Sequence, residues 1–331
     1  MSRMEEWPDL ASSRLGARAV AASDEFFAPK ERLLDPDPPM FDPDRYTERG
    51  KWMDGWETRR RRGPGNDWVV VRLAAPTVVR EVVVDTAHFD GNHPSSASVE
   101  AAVVEEEPED PRGWIAPAIG WSTIVPLSPL DPDAEHAFSV ESDRAWTHVR
   151  LSIHPDGGVA RLRVRGRAAP DPGRMRGEAP IDLSGVLYGG RVLAASDARF
   201  GPPHRLLFPG PAEGMWDGWE TRRRREPGHD WVVVRLGGRG EVERAVVDTS
   251  FFLGNHPERA SLELADLPDA PFDTVPEEEA WSRALAPSRL DPDSVHVFAP
   301  PELQPGPATH ARLAIHPDGG VARLRLFGRP S

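Results

Sequence analysis

Asp54-Gly-Trp-Glu-Thr-Arg-Arg-Arg-Arg62 occurs a second time, without a change, at Asp217 to Arg225. A second long block, His154-Pro-Asp-Gly-Gly-Val-Ala-Arg-Leu-Arg163, returns at His316 to Arg325. Shorter blocks recur in the same order: Asp85-Thr86, Gly91-Asn-His-Pro94 and Leu130-Asp-Pro-Asp133 reappear at Asp248, Gly254 and Leu290. The offset of roughly 160 residues is the length of a domain and too long for a solenoid repeat. The sequence therefore predicts a duplicated domain.

The repeats place the first domain at residues 1–168 and the second at residues 181–331. Between them, residues 169–180 are rich in Pro and Gly and show no apolar pattern, which is typical of a linker. The 331 residues are enough for two domains that each bury a core.

Composition excludes several functional classes. The chain has no Cys, so disulfides, thiolate metal sites and cysteine nucleophiles are excluded. The net charge of -13 argues against non-specific binding to nucleic acid or to a membrane. No apolar run approaches the ~20 residues of a membrane span. Met1 to Leu10 lack the basic start and apolar run of a signal peptide, so we expect a cytoplasmic protein.

Short runs rich in β-branched residues, bounded by Gly, Pro and Asp, predict an all-β fold of sandwich or barrel type. The predicted strands are Trp68 to Leu73, Val78 to Val84, Ala97 to Val104, His148 to Ile153 and Val159 to Val164, with counterparts at Trp231 to Leu236, Val242 to Val247, Ala260 to Leu264, Ala311 to Ile315 and Val321 to Phe327. After the first Pro-Asp-Gly-Gly turn, Ala160, Leu162 and Val164 alternate with arginines. This alternation predicts a strand with one buried apolar face and one solvated basic face.

The repeated arginine block contains side chains that can bind an anionic ligand. If Trp56 to Arg62 is extended, Glu57, Arg59 and Arg61 share a face, and Glu57 is expected to hold the two guanidinium groups for an anionic ligand. A solvated charged strand is the alternative interpretation. Asp67 and Asp85 stand at strand ends, where loops converge and sites are built, although a turn or cap explains them equally well.

Four histidines, His93, His154, His256 and His316, recur beside Pro in both copies. Histidine is suited to proton transfer near neutral pH, while a structural role in the turn explains them equally well. No HxH or HExxH spacing is present. Binding of a divalent metal ion through His and Asp remains an alternative.

Taken together, DGWETRRRR, the DW strands, VDT, GNHP and PDGGVARLR resemble the allantoicase family over almost the whole of both copies. The resemblance implies two tandem jelly-roll, galactose-binding-like β-sandwiches. It also implies hydrolysis of allantoate to ureidoglycolate and urea in purine (allantoin) degradation, by acid–base chemistry of His and carboxylates, with Arg binding the substrate carboxylate. The candidate catalytic residues are His229, Asp230, Glu220, Asp217, His256, Asp54, Glu57, Asp67 and His88. The candidate substrate-binding residues are Arg59, Arg61, Arg222, Arg224, Asn92, Asn255, Asp85, Asp248, His154 and His316.

The two copies differ at candidate positions. His229 precedes Asp230 in the second copy, whereas Asn66 stands at that place in the first, and His88 of the first copy corresponds to Phe251. We therefore expect turnover in the second copy or in a site with unequal contributions. The expected partner is the small-molecule substrate, with a homo-oligomer as the assembly. A non-catalytic tandem β-sandwich that binds a sugar or another small ligand is the competing hypothesis.

Overall fold

The computed structural model describes residues 2–3, 7–171, 173 and 179–331. Its contacts divide into two compact units, one formed by Trp7–Arg167 and the other by Ala168–Ser331 with Met1–Glu6. Within the expected linker, residues 172 and 174–178 lie outside the described residues. No helix of the described residues is long and apolar enough to cross a membrane.

The first unit consists of strands joined by loops and short 3-10 helices. Strand β1, Ser2–Arg3, precedes it and belongs to the second unit. The strands that follow are β2 (Arg18–Ala22), β3 (Tyr46–Thr47), β4 (Gly50–Lys51), β5 (Trp56–Glu57), β6 (Asp67–Asp85), β7 (Ser96–Ala102), β8 (Ser122–Pro129), β9 (Glu135–Ser139), β10 (Ala145–His154), β11 (Gly158–Val159) and β12 (Arg161–Ala168). The 3-10 helices are Ser13–Leu15, Lys30–Leu34, Pro111–Ile115 and Pro117–Ile119.

The second unit repeats this plan. Its strands are β13 (Ile181–Asp182), β14 (Arg191–Ala195), β15 (Trp219–Glu220), β16 (Asp230–Asp248), β17 (Arg259–Ala265), β18 (Ser282–Arg289), β19 (Val295–Phe298), β20 (Gly306–His316), β21 (Gly320–Val321) and β22 (Arg323–Pro330). The 3-10 helices are Val186–Tyr188, Pro203–Leu207, Met215–Asp217 and Glu278–Ala280. Both units are antiparallel jelly-roll β-sandwiches, so the predicted fold class is confirmed.

One long strand in each unit pairs with different partners along its length. In the first unit the order is β12-β6-β10-β7-β8, and β2 and β9 also pair with β6. The first part of β6 lies against β2 and its last residues lie against β9, as expected for a strand that turns a corner of a sandwich. The second unit has the order β1-β14-β16-β20-β17-β18, with β19 and β22 on β16.

The predicted break between two strands at Leu73 and Val78 is wrong, because β6 runs through both. Its register with β10 shifts between Trp146 and His148, and residues 73–76 have no partner in β10. Pro76 therefore removes no hydrogen bond from that ladder, and the strand continues past it.

The predicted apolar face after the first Pro-Asp-Gly-Gly turn is confirmed, because Ala160, Leu162 and Val164 are fully buried. The prediction of a solvated basic face is wrong at its first position. Arg161 is 2% exposed and its guanidinium group donates to the backbone oxygens of Asp37 and Asp54. The chain preceding β5 therefore covers this face of β12.

The two longest repeated blocks pack against each other. Strands β5 and β11 pair, with Glu57 opposite Gly158. The Thr58 backbone N–H donates to the Gly157 oxygen, and the Gly157 N–H donates to the Thr58 hydroxyl. Gly157 has φ +138°, and a Cβ there would lie 2.6 Å from the Asn92 oxygen, so this turn requires glycine. Thr221 and Gly319 repeat the arrangement in the second unit.

Candidate active site

The repeated arginines are held by aspartates from other parts of the chain. In the first domain Arg59 lies 2.6 Å from Asp24 and Arg61 lies 2.8 Å from Asp67. The second domain repeats these pairs, Arg222 with Asp197 at 2.5 Å and Arg224 with Asp230 at 2.8 Å. The expectation that Glu57 holds these two guanidinium groups is wrong, because β5 ends at Glu57, whose carboxylate accepts from Asn92 instead.

A small pocket adjoins the paired arginines in each domain. The pocket of the first domain, about 390 Å³, is lined by Ser23, Asp24, Arg59 to Gly63 and Asp67. Its counterpart in the second, about 370 Å³, is lined by Ser196, Asp197, Arg222 to Glu226 and Asp230. Ser23 and Ser196 donate to Asp67 and Asp230, which fixes the carboxylates that neutralise the arginines. Burial by itself raises the pKa of Asp197, but hydrogen bonds from Arg199 and Arg222 lower it below its ordinary value.

A larger cavity of about 690 Å³, which we call the basic cavity, lies in the second domain. It brings together three predicted site residues, Arg224, Asn255 and His256. The remaining lining residues are Arg223, Gly254, Glu258, Arg259, Arg289, Leu290, Pro317 and Asp318.

His256 differs from its counterpart His93 in its hydrogen bonding. The Nδ1 atom of His93 lies 2.8 Å from the backbone oxygen of Asp90, within its own loop. The Nδ1 atom of His256 is buried and has no hydrogen-bond partner among the residues that the structure describes. A buried imidazole nitrogen without a partner costs free energy unless a ligand or water satisfies it. His256 therefore has an imidazole nitrogen that the described residues leave unsatisfied, and the residue lines the basic cavity.

The predicted residues Glu220 and Asn255 form a pair. The Asn255 Nδ2 atom donates to Glu220 at 2.7 Å, and Asn92 donates to Glu57 at the same distance in the first domain. The Asn255 backbone oxygen accepts from the Gly320 N–H, and the side-chain Oδ1 atom is a further acceptor on this residue of the cavity lining. Burial raises the pKa of Glu57.

Asp54 and Asp217 are parts of buried ion pairs. Asp217 lies 2.5 Å from Arg323, and each side chain is 2% exposed. Asp54 lies 2.7 Å from the buried guanidinium group of Arg161. These carboxylates hold the loop before β5, or before β15 in the second domain, on the sheet. Neither lines any of the three cavities described above.

His229 and His316 are brought together at the ends of β16 and β20. Their ring centroids are 4.8 Å apart, and the His316 Nε2 atom lies 3.0 Å from the Ser261 hydroxyl. Burial, followed by the charges of His229 and Arg259, lowers the pKa of His316. Neither histidine lines the basic cavity.

The corresponding positions of the first domain, Asn66 and His154, differ. Asn66 donates to the Asp67 backbone oxygen. The buried Nε2 atom of His154 has no partner in the described part of the chain, and burial lowers the pKa of this histidine.

Three other predicted residues organise loops. The Asp85 and Asp248 carboxylates accept from backbone N–H groups two residues ahead, Ala87 and Ser250. Burial raises the pKa of Asp85. The His88 Nε2 atom lies 3.3 Å from the Pro39 oxygen, and the residue has φ +67°. These contacts favour the cap interpretation of both aspartates.

The cavity also contains residues that motif reasoning missed. Arg223 makes no ion pair with any described residue, whereas its counterpart Arg60 lies 3.5 Å from Asp156. Arg259 and Arg289 stand where the first copy has Ser96 and Pro129. A comparison of the two copies at non-identical positions would have identified both. No cluster of three metal-ligating side chains occurs among the described residues.

Comparison with known proteins agrees with this architecture. The allantoicase repeat model matches residues 8–169 and 181–331. A probable allantoicase of Rhizobium meliloti (strain 1021) is 48% identical, with 97% of this chain and 93% of that protein covered. Probable allantoicase 2 of Burkholderia pseudomallei (strain K96243) is 49% identical, with 97% and 94% covered. The crystal structure of allantoicase from Saccharomyces cerevisiae superposes with a TM-score of 0.79 at 34% identity, with 98% and 94% covered. Two repeats, two sandwiches and near-complete coverage lead to one conclusion: this chain belongs to the allantoicase family.

Proposed function

We propose that this chain hydrolyses allantoate to ureidoglycolate and urea, in purine (allantoin) degradation, and that turnover takes place in the basic cavity of the second domain. The location is supported by His256, whose Nδ1 atom has no partner among the described residues, and by Arg223, which makes no ion pair with them; both residues line this cavity. The first domain has His93 bonded within its loop and Arg60 beside Asp156.

Substrate binding follows from the donors and acceptors of the basic cavity. Allantoate has one carboxylate and two ureido groups on the same carbon. Arg223 suits the carboxylate, because a guanidinium group that makes no ion pair in the described part of the chain can donate two parallel hydrogen bonds to it. Asn255, fixed by Glu220, accepts a ureido N–H. We therefore assign carboxylate binding to Arg223, whereas Arg222 and Arg224 support the site through their aspartates.

The reaction breaks the bond between the central carbon and one ureido nitrogen. That nitrogen takes a proton and departs as urea, and water supplies the hydroxyl group of ureidoglycolate. His256 is the residue we assign to protonate the departing nitrogen, since a neutral amine-like leaving group requires a positioned acid. No covalent intermediate with the protein is required.

Urea release on addition of allantoate tests the function, and two matched variants test its location. His256→Asn is expected to reduce kcat by about 10²-fold or more, the usual contribution of a positioned acid. His93→Asn is the control and is expected to leave kcat within about twofold. Equal losses in the two variants would refute the assignment to the second domain. A folded protein that releases no urea would favour the competing hypothesis of a ligand-binding sandwich.

We also predict that the protein forms a homo-oligomer and that it is located in the cytoplasm. Sedimentation equilibrium tests the oligomeric state, and a protein that is strictly monomeric over the micromolar range would contradict that prediction.

A further inference from the structure

The basic cavity holds more positive charge than one carboxylate requires. In addition to Arg223, it is lined by Arg224, Arg259 and Arg289. Arg224 is balanced by Asp230 at 2.8 Å. Arg259 and Arg289 therefore contribute charge beyond the arginine assigned to the substrate carboxylate.

Strand register places these two arginines in a row with a histidine. Arg289 on β18 is opposite Arg259 on β17, and Arg259 is opposite His316 on β20. Like charges directly opposite each other on neighbouring antiparallel strands destabilise a sheet. An anion bound beside Arg259 and Arg289 would remove that repulsion.

The first domain has the same register without the charges. Pro129 on β8 is opposite Ser96 on β7, and Ser96 is opposite His154 on β10. The two backbones are therefore equivalent at the edge of the cavity, and the paired arginines are a feature of the second domain only.

Acidic neighbours balance the two arginines weakly. Arg259 lies 3.4 Å from Glu258, and the two side chains are 53% and 69% exposed. Arg289 lies 3.9 Å from Asp291, with side chains 84% and 69% exposed. Ion pairs this exposed are screened by water and hold neither side chain in one geometry. Both guanidinium groups can turn towards a ligand.

We propose that Arg259 and Arg289 form a second anion subsite in the basic cavity, so that the second domain binds small dianions such as inorganic phosphate or a three-carbon dicarboxylate. One carboxylate of the dicarboxylate binds at Arg223 and the other at Arg259 and Arg289, whereas the oxygens of phosphate are shared between Arg259 and Arg289. The inference rests on the cavity proposed for the function, but it does not require turnover there. A dianion bound in this way occupies the same space as allantoate and competes with it.

Calorimetric titration of the full chain at low ionic strength tests the subsite, with inorganic phosphate, malonate and acetate as probes. Both dianions are expected to bind at least tenfold more tightly than acetate. The variant Arg259→Ser/Arg289→Ser, which is similar to the first domain at these positions, is expected to weaken phosphate and malonate binding at least tenfold. Arg283→Ser removes an exposed arginine of β18 outside the cavity and is expected to change nothing.

Unchanged dianion affinity in the double variant, or acetate binding as tight as phosphate binding, would overturn the inference. If the double variant unfolds, the single variant Arg289→Ser at the most exposed position provides the same comparison. The two proposals fail separately. A protein that releases no urea but loses dianion binding in the variants refutes the proposed function and supports the subsite.

Discussion

The imidazole rings of His229 and His316 lie 4.8 Å apart between centroids and are inclined by 48°. Two protonated rings at this distance repel each other, and His316 is also partly buried. Burial, the His229 charge and the Arg259 charge all lower the pKa of His316 below its ordinary value of 6.5. The first domain contains one ring at these two positions, because Asn66 replaces the other.

This relationship predicts the effect of His229→Asn on proton binding. Removing the neighbouring charge is expected to raise the pKa of His316 towards its ordinary value, as measured by NMR titration of the histidine ring protons. His154 in the first domain serves as the internal control and should not shift. An unchanged His316 titration would mean that the two rings do not interact in solution.

The same shift has a consequence for stability. A histidine whose pKa is lowered by folding contributes its full stability above pH 6.5, and that contribution is lost as the pH falls through the folded pKa. His229→Asn should therefore lose less stability than the parent protein between pH 7.5 and pH 5. Urea denaturation at the two pH values measures this difference, and a larger acid-induced loss in the variant would contradict it.

Substitution of Asp217 is expected to lower the free energy of unfolding rather than to act directly on kcat. It forms a buried pair with Arg323, both side chains being 2% exposed. Asp217→Asn leaves the Arg323 charge without its partner in the interior, which costs about 3–5 kcal/mol of unfolding free energy. Asp291→Asn, at an exposed position, is the matched control. Denaturant unfolding measures both, and a variant that keeps its stability but loses kcat would show that Asp217 is catalytic.

Arg223 and Arg60 are expected to respond differently to removal. If Arg223 binds the substrate carboxylate through two hydrogen bonds, Arg223→Ala should raise KM by at least roughly 10- to 100-fold, the effect expected from losing one hydrogen bond to a charged group. The equivalent change Arg60→Ala should leave KM nearly unaltered, because Arg60 belongs to the first domain and does not line the basic cavity. Initial-rate kinetics with allantoate distinguish the two. A larger effect from Arg60→Ala would move the substrate to the first domain.

Glu57→Gln is predicted to stabilise the first domain at neutral pH. Burial raises the pKa of Glu57, so its ionised form destabilises the fold once the pH exceeds the ordinary value of 4.5 and rises through the raised pKa. Glutamine keeps an acceptor for Asn92 without the charge. The Tm of the variant should exceed that of the parent at pH 8 and equal it at pH 4. A lower Tm at both values would show that the charge itself is needed.

The sequence predicted the duplication and most strands because both depend on local order. Identical blocks reveal the repeat, and β-rich runs between turn residues mark the strands. The continuity of β6 through Pro76 was missed because it depends on which partner lies beside each part of the strand. The partner of Arg59 was missed for a similar reason, because Asp24 lies 35 residues away in the chain.

The basic cavity shows a second limit of motif reasoning. Motifs that are identical in both copies do not distinguish the two domains, whereas Arg259 and Arg289 differ from Ser96 and Pro129 in the sequence itself. The bonding state of His256 was not predictable, because His93 occupies the same tetrapeptide and is bonded differently.

The reciprocal bonds between Thr58 and Gly157, and between Thr221 and Gly319, bind two distant segments of chain in each domain. Loss of the threonine hydroxyl would leave the glycine N–H without its acceptor, so the position of each segment depends on the other. Arg259 and Arg289, at which the two copies differ, lie outside these reciprocal bonds. The second domain could thereby gain positive charge at Arg259 and Arg289 while it kept the backbone arrangement of the first domain.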